Sequence, residues 1–206
     1  VEPGSNSAAV DPQLVDAEHG TALWGKEYQR SLGEIELARE TISDEVWNEL
    51  RLRLNAEDRQ ALEVFQLYQR GRNLAERRRE ADLRRAIELY DQALVRDRTH
   101  PHSLAGKAQA LNLLQAYGFA EPEEVYPQAK AAAQRAIAID DSLADAHTNL
   151  AWVNYRWDWD FPAAEREFAR AMDLDPEYAQ ARHWAGLFKG AMGEFDEALR
   201  LIREAQ

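Results

Sequence analysis

Apolar residues recur at helical spacing along most of this chain, and a first long stripe begins after residue 31. The stripe consists of Ile35, Ala38, Ile42, Val46, Leu50 and Leu54. Ser31 and Glu34 match a capping box that would begin this helix. Further stripes predict helices over residues 56–76, which Asn55 can cap, and 81–95, after which helix follows helix. The later breaks are expected at residues 99–101, 118–127, 158–162 and 175–176. The pattern therefore predicts a mainly α protein.

The first thirty residues follow a different pattern, which favours a short β-hairpin. Residues 1–8 are expected to be loop, residues 13–17 a strand and residues 22–29 the returning strand, with Gly20 in the turn. A two-stranded hairpin is barely stable by itself and leaves its edges unpaired. We therefore expect residues 10–30 to be either poorly ordered or engaged in self-association.

One short motif returns along the helical part of the chain. It occupies residues 92–98, 135–141 and 170–176, and a further copy begins at Glu204. Its alanines stand at 93, 136, 171 and 205, so the last two steps are 35 and 34 residues. A period near 34 is typical of helix pairs that stack into a solenoid and bind along a surface.

A stack of helix pairs needs small residues where paired helices cross and bulky residues between the crossings. Alanine and glycine recur at suitable offsets in each unit of this chain. We expect Ala164, Ala171, Gly186 and Ala198 to lie at such crossings.

These repeated residues resemble the tetratricopeptide repeat (TPR), and the resemblance covers about residues 60–206. It implies a TPR-type superhelical solenoid over residues 55–206, with about four repeats of which the last is truncated. His147 and Arg182 depart from the family pattern, in which the first helix of a repeat opens with a large residue. Pro176 is the proline that remains at a closing turn.

Two units carry extra residues between their helices. The first has about three, near residues 77–79, and the second has about nine, residues 117–125. Insertions in repeat proteins map to one rim of the solenoid and often contribute to binding. Surface loops also tolerate insertions at little cost, so a purely structural loop is an equal alternative.

The stretch before the repeats is similar to the closing strand–strand–helix of a TolB-amino-terminal-like module. The similarity rests on residues 14–24 and 28–35 and covers about residues 10–54. It implies that residues 1–54 form a disordered start, a hairpin and a helix. Such modules precede TPRs in bacterial signalling proteins, whose output domains include adenylate cyclases, winged-helix regulators and Ser/Thr kinases. The earlier strands of the module are missing here, so we expect the chain to be part of a longer protein.

Composition limits the classes of partner. The formal net charge of −12 disfavours nucleic-acid binding, because an acidic surface repels phosphates. No apolar run approaches the roughly 20 residues that a membrane helix needs, so no membrane insertion is expected. The absence of cysteine excludes disulfides and thiolate chemistry. It leaves the compartment open between the cytoplasm and the extracytoplasmic side of a membrane-tethered parent protein.

The candidates for chemistry all have structural alternatives. His100 and His102 could bind a metal weakly, or could simply begin a helix. Asp158 and Asp160 lack the further oxygen ligands of a calcium loop, and a turn between two repeat helices is the alternative. A basic cluster could meet an acidic partner or form i,i+4 pairs on a solvated face. It comprises Arg70, Arg72, Arg77, Arg78, Arg79, Arg84 and Arg85. Because motifs of nucleotide binding and hydrolysis are missing, we expect no catalytic residue, metal or cofactor.

The TPR resemblance implies a concave groove lined by the first helix of each pair. The lining residues are Tyr68, Arg72, His102, Gln109, Asn112, Thr148, Trp152, Tyr155, Arg156, His183 and Leu187. Family members that bind chaperone tails clamp a terminal carboxylate with Lys and Asn, which Tyr68, Arg72 and Gln109 do not reproduce. Replacing Tyr155 and Arg156 is expected to weaken binding and leave the fold intact. The alternative is that Trp152 and Tyr155 point inward and fill the core.

Three functions are compared. The first is a non-enzymatic scaffold that binds a protein or peptide segment, within a larger bacterial signalling protein. The second is a small-ligand sensor with residues 117–125 as a lid, based on the aromatic residues Trp152, Tyr155, Trp157, Trp159 and Trp184. The third, an enzyme, has no motif in its favour.

Overall fold

The computed structural model describes residues 7–10, 13–15, 22–25, 28–31, 45–46 and 55–205. The chain divides into two compact units, residues 1–59 and residues 60–206. The helix predicted after residue 31 lies outside the described residues, apart from Glu45 and Val46, which are helical.

Four short strands form two antiparallel pairs in the first unit. The strands are β1 (Ser7–Val10), β2 (Gln13–Val15), β3 (Ala22–Gly25) and β4 (Tyr28–Ser31). β1 pairs with β4 and β2 pairs with β3. The two pairs share one register, which shifts between Leu14 and Val15. Residues 7 and 8, which were expected to be loop, lie in β1 because they continue this register opposite β4.

Residues 55–205 contain eight α-helices. They are α1 (Ala56–Ala75), α2 (Glu80–Arg96), α3 (Pro101–Ala116), α4 (Pro122–Ile139), α5 (Ala144–Val153), α6 (Phe161–Leu174), α7 (Ala179–Ala191) and α8 (Phe195–Glu204). A π-helical turn, Asn154–Asp158, continues α5. The predicted cap of α1 is confirmed, because Asn55 Oδ1 accepts a hydrogen bond from the Asp58 N–H at 2.9 Å.

The helices are arranged as successive pairs, α3 with α4, α5 with α6 and α7 with α8, as in a solenoid of helical repeats. α1 pairs with α2 in the same way: Val64 and Leu67 pack against Leu89 and Ala93. We call α1, α3, α5 and α7 the A helices, and the others the B helices. The main hydrophobic core runs through these layers, from Ala75 at the end of α1 to Leu201 in α8. No helix among the described residues combines the length and apolarity needed to cross a membrane.

The small residues lie at close helix contacts, as predicted. Ala164 and Ala171 are fully buried, and Ala198 is 6% exposed. A Cβ atom added to Gly186 would lie 2.7 Å from Ile202 Cγ1, so only glycine permits the approach of α7 to α8.

One predicted break is shorter in the structure. Residues 118–127 were expected to interrupt the helices, but α4 begins at Pro122 and includes Pro127. Pro122 suits the first helical position because that position needs no N–H donor. Pro127 is exposed and remains within the helix, which continues to Ile139.

Candidate functional site

A cavity of about 310 Å³ lies among all four A helices. Three predicted groove residues, Tyr68, Arg72 and Gln109, line it. Gln109 Nε2 on α3 donates a 2.7 Å hydrogen bond to Gln180 Oε1 on α7. This bond joins residues 71 positions apart, so the superhelix brings the last pair back toward the second.

Tyr68 also belongs to an aromatic cluster at the start of α3. Its ring centroid lies 5.6 Å from that of His100 and 5.7 Å from that of His102. Burial raises the pKa of Tyr68; the Asp145 charge adds to this shift and Arg72 opposes it. The predicted groove residue His102 is exposed beside this ring.

Three predicted groove residues lie in the interior instead. Asn112 is fully buried and its Nδ2 donates to Asn149 Oδ1 at 3.1 Å, which links α3 to α5. Thr148 is also fully buried, and its hydroxyl donates to the Ala144 carbonyl. Trp152 is 6% exposed and stacks on Trp184, with 4.6 Å between ring centroids. The expected place of all three in the groove is corrected: Asn112 and Trp152 lie where adjacent A helices pack on each other, and Thr148 is buried and bonded within α5.

Tyr155 and Arg156 form a partly open cluster just after α5. Tyr155 is half-buried, with its ring 5.4 Å from that of Phe188. The Arg156 guanidinium is exposed and lies 5.8 Å from the ring centroid of Trp152 and 5.7 Å from that of Tyr155. These distances fit cation–π contacts.

The last predicted groove residues lie on α7. His183 and Leu187 are both exposed. Burial and the nearby Arg78 charge lower the pKa of His183. Arg78 lies in the turn after α1, so its effect on His183 indicates that this turn lies near α7.

The π-helical turn orients the Tyr155–Arg156 cluster and was not predicted. Trp159 closes it in the left-handed conformation, with φ of 57°, and the Asp160 N–H reaches back to the Asn154 carbonyl at 3.0 Å. Such one-turn bulges rotate the following side chains relative to a regular helix, and they are frequent at functional sites. The sequence gives no recognisable signal for the turn.

The inserted segment, residues 117–125, is held in place by packing and by a hydrogen bond. Only residues 117–121 lie outside helices, since residues 122–125 form the first turn of α4. Phe119 packs against the main core, and its carbonyl accepts a hydrogen bond from Arg84 Nη2 at 3.0 Å. The expectation of a lid over residues 117–125 is therefore corrected: the segment is a short, packed connection.

The other candidates for chemistry have structural roles in the described part of the chain. His100 Nδ1 caps α3 by accepting from the Ser103 N–H, and Asp160 Oδ1 caps α6 by accepting from the Ala163 N–H. Asp158 pairs with Lys130 at 2.8 Å. No cluster of three or more possible metal ligands occurs among the described residues.

The basic cluster largely forms pairs along its own helices. Arg84 pairs with Glu80 at 3.0 Å and Arg72 with Glu76 at 4.0 Å, both at i,i+4 spacing. Arg79 pairs with Asp82 at 2.5 Å. The predicted i,i+4 pairing is confirmed for Arg72 and Arg84, whereas the pair of Arg79 has i,i+3 spacing.

Sequence reasoning missed nine of the twelve residues that line the cavity, among them Tyr90, Asp145, Tyr178 and Gln180. Tyr90 lies on a B helix, and Tyr178 and Gln180 lie at the start of α7, away from the expected lining positions. One available signal was the pair of glycines, Gly71 and Gly106, that faces Tyr90 across two A helices.

The structure has a TPR fold. A TPR protein of Thermus thermophilus has a TM-score of 0.60 and 16% sequence identity, and the match covers 83% of this chain and 85% of that one. MamA of Desulfovibrio magneticus RS-1, from residue 41 to its end, has a TM-score of 0.50 and 19% identity, covering 84% and 88%. An O-GlcNAc transferase mutant of Thermobaculum terrenum has a TM-score of 0.51 and 18% identity, covering 64% of this chain and 23% of that one.

Comparison with protein-family models and with curated proteins finds no match. At identities below 20%, the three similar structures establish the shared fold alone. The function has to be argued from the residues of this chain.

Proposed function

We propose that this chain is a non-enzymatic interaction scaffold that binds an acidic segment of a partner protein at Arg156. The observation that carries the proposal is the exposed Arg156 guanidinium over the rings of Trp152 and Tyr155. Arginine and aromatic residues are the types that most often anchor protein interfaces.

The Arg156 charge has no carboxylate partner among the described residues. Many other arginines of the solenoid are neutralised within the chain, as Arg84 is by Glu80 and Arg200 by Glu197 and Glu204. A guanidinium can bind a carboxylate through two parallel N–H donors. Arg156 is therefore available to a carboxylate supplied by a partner.

The aromatic rings beneath Arg156 favour such a contact. A stacked guanidinium is already positioned, so less side-chain entropy is lost when a carboxylate binds it. An apolar side chain next to the partner's carboxylate can pack on the open part of Tyr155. This combination fits a peptide segment in which an acidic residue stands beside an apolar one.

We further propose that the scaffold serves a larger bacterial signalling protein. The support is the resemblance of residues 14–24 and 28–35 to the TolB-amino-terminal-like module. The parent gene tests this proposal. An upstream cyclase, kinase or winged-helix domain would support it, and a stand-alone gene of this length would count against it.

Selected peptides test the binding site. A displayed random-peptide library is selected on the intact chain, and the dissociation constant of an enriched acidic peptide is measured. We expect Arg156→Gln to weaken binding at least tenfold, about 1.4 kcal/mol. Arg166→Gln is the matched control, because Arg166 is an exposed arginine on α6 without a ring beneath it among the described residues. Equal affinity in the two variants would contradict the proposal.

The double replacement of Tyr155 and Arg156 with alanine separates binding from stability. It should weaken binding by about 2 kcal/mol or more if both residues are anchors. The expectation that the fold stays intact needs correction, because the Tyr155 ring contacts Phe188 and Phe161 and its loss leaves a gap. The melting temperature is therefore measured on the same variant. Full affinity together with a lowered melting temperature would show that neither residue contributes to the binding site.

A further inference from the structure

The cavity among the A helices contains a carboxylate that pairs with no cation of the described residues. Asp145, in the first turn of α5, lines the cavity and forms no ion pair among the described residues. Its Oδ1 accepts a hydrogen bond from the Ala146 N–H at 2.8 Å. Burial raises the pKa of Asp145, and the shift is partly offset by that N–H and by His102.

Three tyrosines line the same cavity as this carboxylate. They are Tyr68, Tyr90 and Tyr178. Burial is the main cause that raises the pKa of each hydroxyl, and the Asp145 charge contributes in all three. The carboxylate therefore shares the cavity with three aromatic rings. A carboxylate beside aromatic faces is an arrangement that binds organic cations.

Two polar atoms of residues that line the cavity have no hydrogen-bond partner within the described part of the chain. The Tyr90 hydroxyl is completely buried and unpaired, and Gln180 Nε2 is likewise buried and unpaired. Tyr90 cannot turn away to find a partner, because its ring is held between Gly71 and Gly106. Buried polar groups are normally satisfied, so these atoms indicate a missing acceptor inside the cavity.

The two arginines that line the cavity each contact a residue other than Asp145, and only Arg72 contacts a charged one. Arg72 pairs with Glu76 at 4.0 Å, and Arg78 Nη1 donates to the Tyr117 hydroxyl at 3.2 Å. Of the two carboxylates that line the cavity, Asp145 is thus the one without an ion-pair partner among the described residues. A metal ion is disfavoured, since the described residues provide no group of three ligands here.

We propose that this cavity binds a small organic ammonium ion that also carries a hydrogen-bond acceptor. The ammonium group pairs with the Asp145 carboxylate against the rings of Tyr68 and Tyr178. The acceptor, such as a hydroxyl or carbonyl oxygen, receives hydrogen bonds from the Tyr90 hydroxyl and Gln180 Nε2. A volume of about 310 Å³ is at the small end of ligand pockets, which fits a molecule of this size. The site is separate from the Arg156 surface and does not depend on it.

Isothermal titration of the intact chain tests the proposal with defined probes. The buffer is phosphate at pH 7.5, because Tris is itself an organic ammonium ion. The probes are ethanolamine and choline, with ethylene glycol as the uncharged analogue. We expect saturable binding of at least one ammonium probe, and no binding of ethylene glycol. Failure of both ammonium probes, or equal binding of ethylene glycol, would overturn the proposal.

Two matched variants locate the site. Asp145→Asn keeps the acceptor for the Ala146 N–H but removes the charge, and should weaken binding at least tenfold. Asp173→Asn removes an exposed carboxylate on α6 that does not line the cavity, and it should change affinity less than twofold. Unchanged binding by Asp145→Asn, or an equal loss in both variants, would refute the assignment.

A third variant keeps the test decisive if Asp145→Asn does not fold. Tyr90→Phe removes only the unpaired hydroxyl, so the protein should fold with an unchanged or higher melting temperature. It should bind the hydroxyl-bearing probes several-fold more weakly than the natural chain does. Undiminished binding by this variant would contradict the role of the hydroxyl. Binding of glycyl-glycinamide without binding of the small amines would also overturn the proposal, because it would indicate a peptide amino terminus as the ligand.

Discussion

At the scale of single residues, the Tyr90 ring packs closely against two helices because the glycines that face it have no side chain. A Cβ atom added to Gly71 would lie 2.7 Å from Tyr90 Cε1, and one added to Gly106 would lie 2.7 Å from Tyr90 Cζ. The ring is completely buried, so it has no space into which to move. The two glycines therefore allow a B-helix tyrosine to reach the cavity between two A helices.

Replacing one of these glycines should destabilise the fold. We expect Gly106→Ala to lower the free energy of unfolding by about 1–3 kcal/mol, because the added methyl group overlaps the Tyr90 ring. Gly190→Ala is the control, since Gly190 also lies inside a helix and its Cβ would meet Ala198 Cβ of α8 at 3.7 Å, an ordinary van der Waals contact. That change should be neutral or stabilising by up to about 1 kcal/mol. Chemical denaturation measures both free energies of unfolding. Equal effects would show that Tyr90 does not limit the size of the side chain at position 106.

His147 links stability to pH at the same scale. Its imidazole is 4% exposed, with Nδ1 2.6 Å from Glu167 Oε2 and Nε2 3.1 Å from the Asp141 carbonyl. Burial opposes the charged form, but the bonds to Glu167 and Asp141 outweigh it and raise the pKa of His147. A raised pKa in the folded state means that protonated His147 stabilises the protein.

The stabilisation by His147 should be full below the ordinary histidine pKa of about 6.5 and be lost as the pH rises through the folded-state value. We therefore expect the difference in unfolding free energy between the natural chain and His147→Gln to be largest near pH 5.5 and to shrink toward pH 9. His183→Gln should not show this trend, since burial and Arg78 lower the pKa of His183. Urea denaturation across this pH range measures both differences. A difference that is flat, or that grows with pH, would disprove the role of His147.

At the scale of helices, the repeat determines which residues lie at the contacts between pairs. Ala171 on α6 is fully buried in a cluster with Ala144 of α5 and Ala181 of α7. Its side chain therefore limits the distance among three helices at once. The cluster explains why alanine stands at this position of the repeated motif.

A larger side chain at Ala171 should force these helices apart. We expect Ala171→Leu to lower the free energy of unfolding by about 1–3 kcal/mol. Ala169→Leu is the matched control, because Ala169 is exposed on the same helix and leucine is nearly as good a helix former as alanine. Chemical denaturation of the two variants compares them directly. A change at Ala171 no larger than the change at Ala169 would mean that the register of the repeat is wrong.

Helices and crossings were predictable from the sequence because they depend on local spacing. The alanines of the motif mark the crossings, and Asn55 marks the start of α1, since capping and small-residue contacts involve neighbouring segments. The cavity was not predictable in this way. The Gln109–Gln180 contact depends on small rotations that accumulate over successive pairs, which no single repeat encodes.

The direction in which the predicted groove residues point could not be predicted from the sequence either. The repeat register correctly places Asn112 and Thr148 on A helices. Whether such a residue faces the groove or the neighbouring A helix depends on the angle between adjacent pairs. The hydrogen bond from Asn112 to Asn149 shows that this side chain lies between α3 and α5.

At the scale of the whole molecule, the two units differ in how their backbone N–H and C=O groups find hydrogen-bond partners. The helices of residues 60–206 satisfy their own hydrogen bonds and bury their apolar faces on neighbouring pairs. The described strands of the first unit form only two-stranded pairs, β1 with β4 and β2 with β3. Each such pair leaves unpaired N–H and C=O groups on its outer edges, and these groups can bind another strand.

This difference predicts how residues 10–30 behave in solution. Because two-stranded pairs are marginally stable alone, we expect these amides either to exchange rapidly in a monomer or to be protected in a self-associated form. Hydrogen exchange is measured on the intact chain at several concentrations, with light scattering on the same samples to give the oligomeric state. Amides of α3 and α6, which lie in the core of the solenoid, provide the internal reference for strong protection. Protection of residues 10–30 that rises with the oligomeric fraction would identify the strand edges as the self-association surface. Strong protection in a demonstrated monomer would contradict the prediction, because a two-stranded sheet by itself cannot supply it.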